Sequence, residues 1–102
     1  MNKEQEILVD AVERLEEELR RAAAAVVDAL SPEVAGDWRV VVGHALRAGL
    51  SLGDIAVLGA TSVSSASRWA DGVSTPSVAA RRWIHAELRQ KLAPLLTLPA
   101  AA

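Results

Sequence analysis

From Lys3 to Leu30 the chain contains neither glycine nor proline, and apolar residues recur at Leu8, Val12, Leu15, Leu19, Ala22, Val26 and Ala29 or Leu30. The steps of 4, 3, 4, 3, 4 and 3 are the a/d seam of a heptad repeat. Such a segment is a helix of about seven turns. Asp10/Arg14, Glu16/Arg20 and Glu17/Arg21 are acid-before-base pairs at i,i+4, each worth about 0.3 kcal/mol on an exposed face. The first half of the helix carries a Leu/Val stripe. The second half carries small residues that let another helix approach closely. The stripe has two fates, docking on the chain's own domain or self-association. Four heptads exceed what a small core covers, which favours self-association through Leu8, Val12, Leu15, Leu19 and Val26.

The remaining elements are read from caps and stops. Ser31-Pro32-Glu33 is a stop followed by a helix restart, with Pro32 suited to a first helical position and Asp37 to a second N-cap. Trp38, Val41, Val42, Ala45 and Leu46 form a helical stripe that stops at Gly49, a good residue for the position after a C-cap. Ser51 with Asp54 three residues on resembles a capping box, opening a short helix with Leu52, Ile55, Ala56 and Leu58 or Gly59 inward. Ser62 caps a second short helix, Val63 to Ala70, with Ala66 and Trp69 inward. Asp71-Gly72 ends it. Ser77 or Thr75 caps a last helix of about Val78 to Leu92, with Trp83, Ile84, Leu88 and Leu92 apolar and Pro94 and Pro99 as stops. A chain of 102 residues, rich in Ala and Leu and without Phe or Tyr, is therefore expected to be an all-α bundle of four to five helices. The expected organisation is an amphipathic arm over 1–30, a compact domain over 31–93 and a flexible tail over 94–102.

Charge divides along the same line. The chain's formal charge is −2, but residues 1–36 hold four bases and nine acids, and residues 37–102 hold seven bases and four acids. An acidic arm at −5 thus precedes a domain at +3, so the small total does not exclude a nucleic-acid partner. Cysteine is absent, which removes a disulfide framework, a thiolate nucleophile and a Cys-based zinc site. No apolar run reaches the 18 or so residues of a membrane span, and acids stand near the N-terminus where a signal peptide would be basic and then apolar. The expectation is a soluble, cytoplasmic chain. His44 and His85 are isolated on helices without Ser/His/Asp company or metal spacing. Both are expected to be structural, with no catalytic residue, metal or cofactor.

Two short capped helices joined by a tight turn are the helix-turn-helix pattern. The sequence Ala48-Gly49-Leu50-Ser51-Leu52-Gly53-Asp54-Ile55-Ala56, followed by Ala66-Ser67-Arg68-Trp69-Ala70-Asp71-Gly72-Val73-Ser74-Thr75-Pro76-Ser77, resembles the Cro/phage-repressor (XRE-like) family of helix-turn-helix DNA-binding regulators. The resemblance runs without gaps from about 45 to 84. One departure stands out: Ala60 occupies the usual place of the turn glycine, and Gly59 falls one residue early. An alanine with positive φ is strained by about 1 kcal/mol or more, so the turn is expected to shift by one residue around Gly59.

The resemblance implies a recognition helix at about 62–71 that presents Val63, Ser64, Ser65, Ser67 and Arg68 to base edges in the major groove. Arg68 is the best base reader of the set, because its fork can bond guanine O6 and N7 together. The bland alternatives are solvated helix surface for the serines and an ion pair with Asp71 for Arg68. Phosphate contacts are expected from Ser51, Ser62, Ser74, Thr75, Arg47 and Arg81, with Arg39 and Arg82 also eligible. The resemblance further implies a cytoplasmic, DNA-associated regulator of bacterial or phage type. It would be a repressor binding a palindromic operator as a homodimer. The arm is one source of that dimer; the last helix, with Trp83 and Leu88, is the family's other source. The competing reading is an antitoxin or antirepressor-like module whose residues 1–30 bind a second protein.

Overall fold

The computed structural model describes residues 2–97. Among them there are five α-helices and no strand: α1 (Lys3–Ala29), α2 (Trp38–Arg47), α3 (Leu52–Leu58), α4 (Val63–Ala70) and α5 (Val78–Leu96), with a single 3-10 turn at Ala35–Asp37. The all-α bundle expected from the sequence is what forms. Met1 and residues 98–102, which include most of the expected tail, lie outside the described residues. No helix among the described residues is long and apolar enough to cross a membrane.

Local signals set most boundaries. Asn2 begins α1 with a capping box: its side chain accepts the Gln5 amide at 2.9 Å and its own amide donates to the Gln5 side chain at 3.1 Å. After α1 the chain turns where a restart is expected, with Ser31 Oγ accepting the Glu33 amide at 3.1 Å. The helix restart expected at Pro32 does not form: residues 32–33 make only a turn, and the 3-10 turn Ala35–Asp37, which contains Gly36, leads directly into α2. Asp37 does precede α2, yet its side chain makes no capping bond. Ser77 rather than Thr75 caps α5, accepting the Ala80 amide at 3.2 Å. Pro94 does not end α5. The ring removes one hydrogen-bond donor in the last turn, while buried Leu92 and half-buried Leu95 hold that turn against the core through Leu96.

Three helices end in the same Schellman geometry. The amides of Gly49, Ala60 and Gly72 bond the carbonyls of Leu46, Val57 and Trp69, and the amides of Leu50, Thr61 and Val73 reach Ala45, Ala56 and Arg68. The left-handed residue is Gly49 (φ 111°), Ala60 (φ 49°) and Gly72 (φ 74°) in turn. The turn therefore does not shift around Gly59, which keeps φ −87°. Gly59 serves packing instead: a Cβ there would stand 3.0 Å and 3.1 Å from the Trp69 ring and 3.3 Å from the Ile55 carbonyl. Ala60 accepts the dihedral strain so that Gly59 can admit Trp69. Two substitutions separate these roles. Ala60→Gly should stabilise the chain by about 1 kcal/mol, and Gly59→Ala should destabilise it by about 1–3 kcal/mol. Thermal denaturation of both variants reads the opposite signs.

One core joins all five helices. Trp38, Val41, Val42 and Ala45 of α2 meet Ile55 and Ala56 of α3, Ala66 and Trp69 of α4, and Ile84, Leu88 and Leu92 of α5. Ala23, Ala24 and Val27 of α1 belong to that same core, so the unit extends into the segment expected to be a separate arm. The C-terminal third of α1 packs on α2 and α5, and His85 Nε2 donates to the Val27 carbonyl at 2.8 Å. That bond satisfies a carbonyl at the end of α1 that no helical amide reaches. The N-terminal part behaves differently: Ile7, Leu8, Val12, Leu15 and Leu19 are all exposed. Thus α1 is half strut and half projecting arm.

Candidate nucleic-acid interface

The site is built on α3 and α4, which pack on each other while α4 also packs on α2. At the start of α3 the Ser51 hydroxyl accepts the Asp54 amide at 3.0 Å and the Asp54 carboxylate accepts the Ser51 amide at 2.8 Å. That reciprocal bond to the Ser51 amide, with the Ser51 hydroxyl second, holds the Asp54 carboxyl below its ordinary pKa. A carboxylate therefore fills the place where Ser51 was expected to meet a phosphate.

The start of α4 is also self-satisfied. Ser62 Oγ accepts the Ser65 amide at 3.1 Å and donates to Ser65 Oγ at 3.2 Å. Ser62 and Ser65 are thus a cap, and Ser65 is half-buried. Ala66 and Trp69 turn inward as expected. The outward face then consists of Val63, which is 52% exposed, with Ser64, Arg68 and the half-buried Ser67. Arg68 makes no ion pair among the described residues, so the alternative pairing with Asp71 does not form. Four of the five expected base readers keep outward access, and Arg68 is unencumbered.

Bases around this helix pair sort into two groups. Arg39 lies across the end of α4, where a Cβ on Gly72 would stand 3.0 Å from its Cδ. Arg39 and Arg47 line a shallow depression with Val40, Gly43, His44 and Ala70. Ser74 and Thr75 are exposed in the loop after α4. Arg82 and Arg89 are tied to acids of the N-terminal segment, Arg82 to Glu33 at 2.5 Å and 2.9 Å and Arg89 to Asp28 at 2.7 Å. The Arg82 fork holds the Glu33 carboxyl below its ordinary pKa. These two pairs draw part of the domain's positive excess back onto the acidic segment.

Arg81 belongs to neither group. It is 7% exposed and donates to the carbonyls of Pro32 and Pro76 at 2.7 Å each and of Glu33 at 3.4 Å. It bridges the α1–α2 connection to the α4–α5 loop and cannot reach a phosphate. The spacing carries a signal of this burial, since Arg81, Ile84, His85, Leu88 and Leu92 share one face at i, i+3, i+4, i+7 and i+11.

The dimerisation candidates divide as well. Leu88 is fully buried in the core and is removed from the set, whereas Trp83 is 51% exposed and remains on the surface. Leu8, Val12, Leu15 and Leu19 are exposed, and Val26 is half-buried in a groove that it lines with Leu19, Ala22, Ala23, His44 and Arg47. The sequence pattern does not mark this groove, because it forms only where α1 meets α2. Of the histidines, His85 is buried on Val27, and His44 Nδ1 bonds the Val40 carbonyl of its own helix at 2.9 Å. No cluster of three metal-ligating side chains occurs among the described residues. Comparison of the chain with family models, with curated proteins and with solved structures returned no match.

Proposed function

We propose that this chain is a sequence-specific double-stranded DNA-binding regulator, a repressor that reads a palindromic operator as a dimer through α4. The observation that carries this reading is the outward face of α4. Arg68 stands there exposed and unpaired beside Ser64 and Ser67, while the opposite face is locked to the core through Ala66 and Trp69. Short serines let the helix backbone come close to base edges, and a free guanidinium fork discriminates guanine. Within residues 37–97 the exposed bases without an acidic partner among the described residues are Arg39, Arg47, Arg68 and Lys91. Nonspecific affinity per copy should therefore be weak, and two copies on two half-sites supply what one lacks.

The test is Arg68→Ala, assayed against single-base variants of a duplex recovered by selection. Preference at one base position should relax by about 1–3 kcal/mol while other positions keep theirs. A variant that reads every base as the parent does would remove α4 as the reader.

A second reading rests on the acidic, apolar arm, whose Leu8, Val12, Leu15 and Leu19 are uncovered. An antitoxin or antirepressor would use that arm to hold a different protein. Such a chain should co-purify in stoichiometric amount with a small protein encoded beside it.

A further inference from the structure

We infer that the projecting half of α1 pairs antiparallel with the same segment of a second copy, setting the core-docked segments of the two α1 helices about 34 Å apart. The inference rests on the DNA-reading proposal for its meaning and on α1 alone for its geometry. In the heptad frame Leu8 and Leu15 are d residues, and Val12 and Leu19 are a residues. Antiparallel pairing sets a against d. With the dyad between Glu13 and Arg14, Leu8 meets Leu19 of the second copy and Val12 meets its Leu15. All four large side chains of the stripe are then matched by one symmetry operation.

Three observations favour a second copy in this orientation. The stripe is exposed along its length, with Leu8 at 64% and Leu19 at 60%, and most helical stability comes from packing an apolar face that this stripe leaves in water. The same register carries the second copy's first turn along the groove of Leu19, Ala22, Ala23, Val26, His44 and Arg47. That first turn holds Glu4 and Glu6, so acids arrive beside Arg47. Parallel pairing lacks this match.

The spacing follows from helix rise. Residue 25, the middle of the segment docked on the core, stands level with Asn2 of the second copy. At 1.5 Å per residue the two docked segments are about 34 Å apart. Adjacent half-sites on B-DNA are separated by about 34–36 Å. The arm thus fixes the spacing of the two docked segments at the scale of one DNA turn.

The test uses the full chain without DNA and exploits its lack of cysteine. Leu8→Cys and Leu19→Cys are made separately, at positions outside the core. Antiparallel pairing places each residue about 16 Å from its own copy, too far for a disulfide. Each variant alone should therefore stay uncrosslinked on mild oxidation, and an equimolar mixture should give the mixed disulfide dimer. Sedimentation of the parent should give twice the chain mass. Leu15→Glu should return it to the monomer mass with its helical circular dichroism intact. Self-disulfides in either single variant would show parallel pairing and overturn the inference. A parent chain that sediments as a monomer would also overturn it, as would an arm that pairs only with a different protein. An antiparallel dimer that selects no duplex would leave this inference standing and remove the DNA reading.

Discussion

Arg81→Ala is expected to lower stability by about 3 kcal/mol and the melting temperature by roughly 15 °C. The side chain is 7% exposed and supplies donors to three carbonyls from two separate connections. Truncation leaves the Pro32 and Pro76 carbonyls without their partner and uncouples the α1–α2 connection from the loop before α5. Hydrogen bonds from charged donors are worth about 1.5–3 kcal/mol each when measured by removal, and water at the half-buried prolines recovers part of the loss. Arg81→Lys should rescue little, because an ammonium lacks the planar fork that spans the carbonyls. The salt dependence of DNA binding separates this role from a phosphate contact. Loss of one phosphate contact reduces the log–log salt slope by about 1, whereas the folded fraction of Arg81→Ala should keep the parent's slope. A variant of parental stability with a shallower slope would return Arg81 to the interface.

Leu88→Ala is the second large effect, about 2–5 kcal/mol. Leu88 is fully buried beneath α5 together with Ile84 and Leu92, so the deletion leaves a cavity inside one chain. Its loss in melting temperature should therefore be the same at every protein concentration. A dimer-interface residue would instead make the loss depend on concentration. Trp83→Ala serves as the contrast, since half of that ring already faces water and its core contribution is small.

What can be read from the sequence is what short-range chemistry determines. Ser51, Ser62 and Ser77 cap helices because a hydroxyl reaches an amide three residues on, whatever the rest of the chain does. Gly49 and Gly72 stop helices for an equally local reason. Spacing alone places Ala66 and Trp69 inward. The residues that end up elsewhere depend on distant partners. Arg81 and Arg82 are neighbours in sequence, and only the packing of the α1–α2 connection against α5 makes one a buried bridge and the other a surface partner of Glu33. The family resemblance points to Leu88 as an interface residue, although it lies in register with the core residues Ile84 and Leu92. At the turn, the local cost of a left-handed alanine points toward Gly59. The Trp69 ring, reaching back from the next helix, needs that glycine for itself. The heptads of α1 are plain, but nothing in them tells that Ala23, Ala24 and Val27 enter the core while Leu8 to Leu19 do not.

The reading of α4 as a DNA-recognition helix is tested most directly by selection from a pool of random duplexes at two salt concentrations. The expected result is one short inverted repeat whose half-sites lie about one helical turn apart, bound with an affinity that falls steeply as salt rises. A pool that emerges without enrichment at the lower salt, from a chain shown to be folded and dimeric, would contradict it.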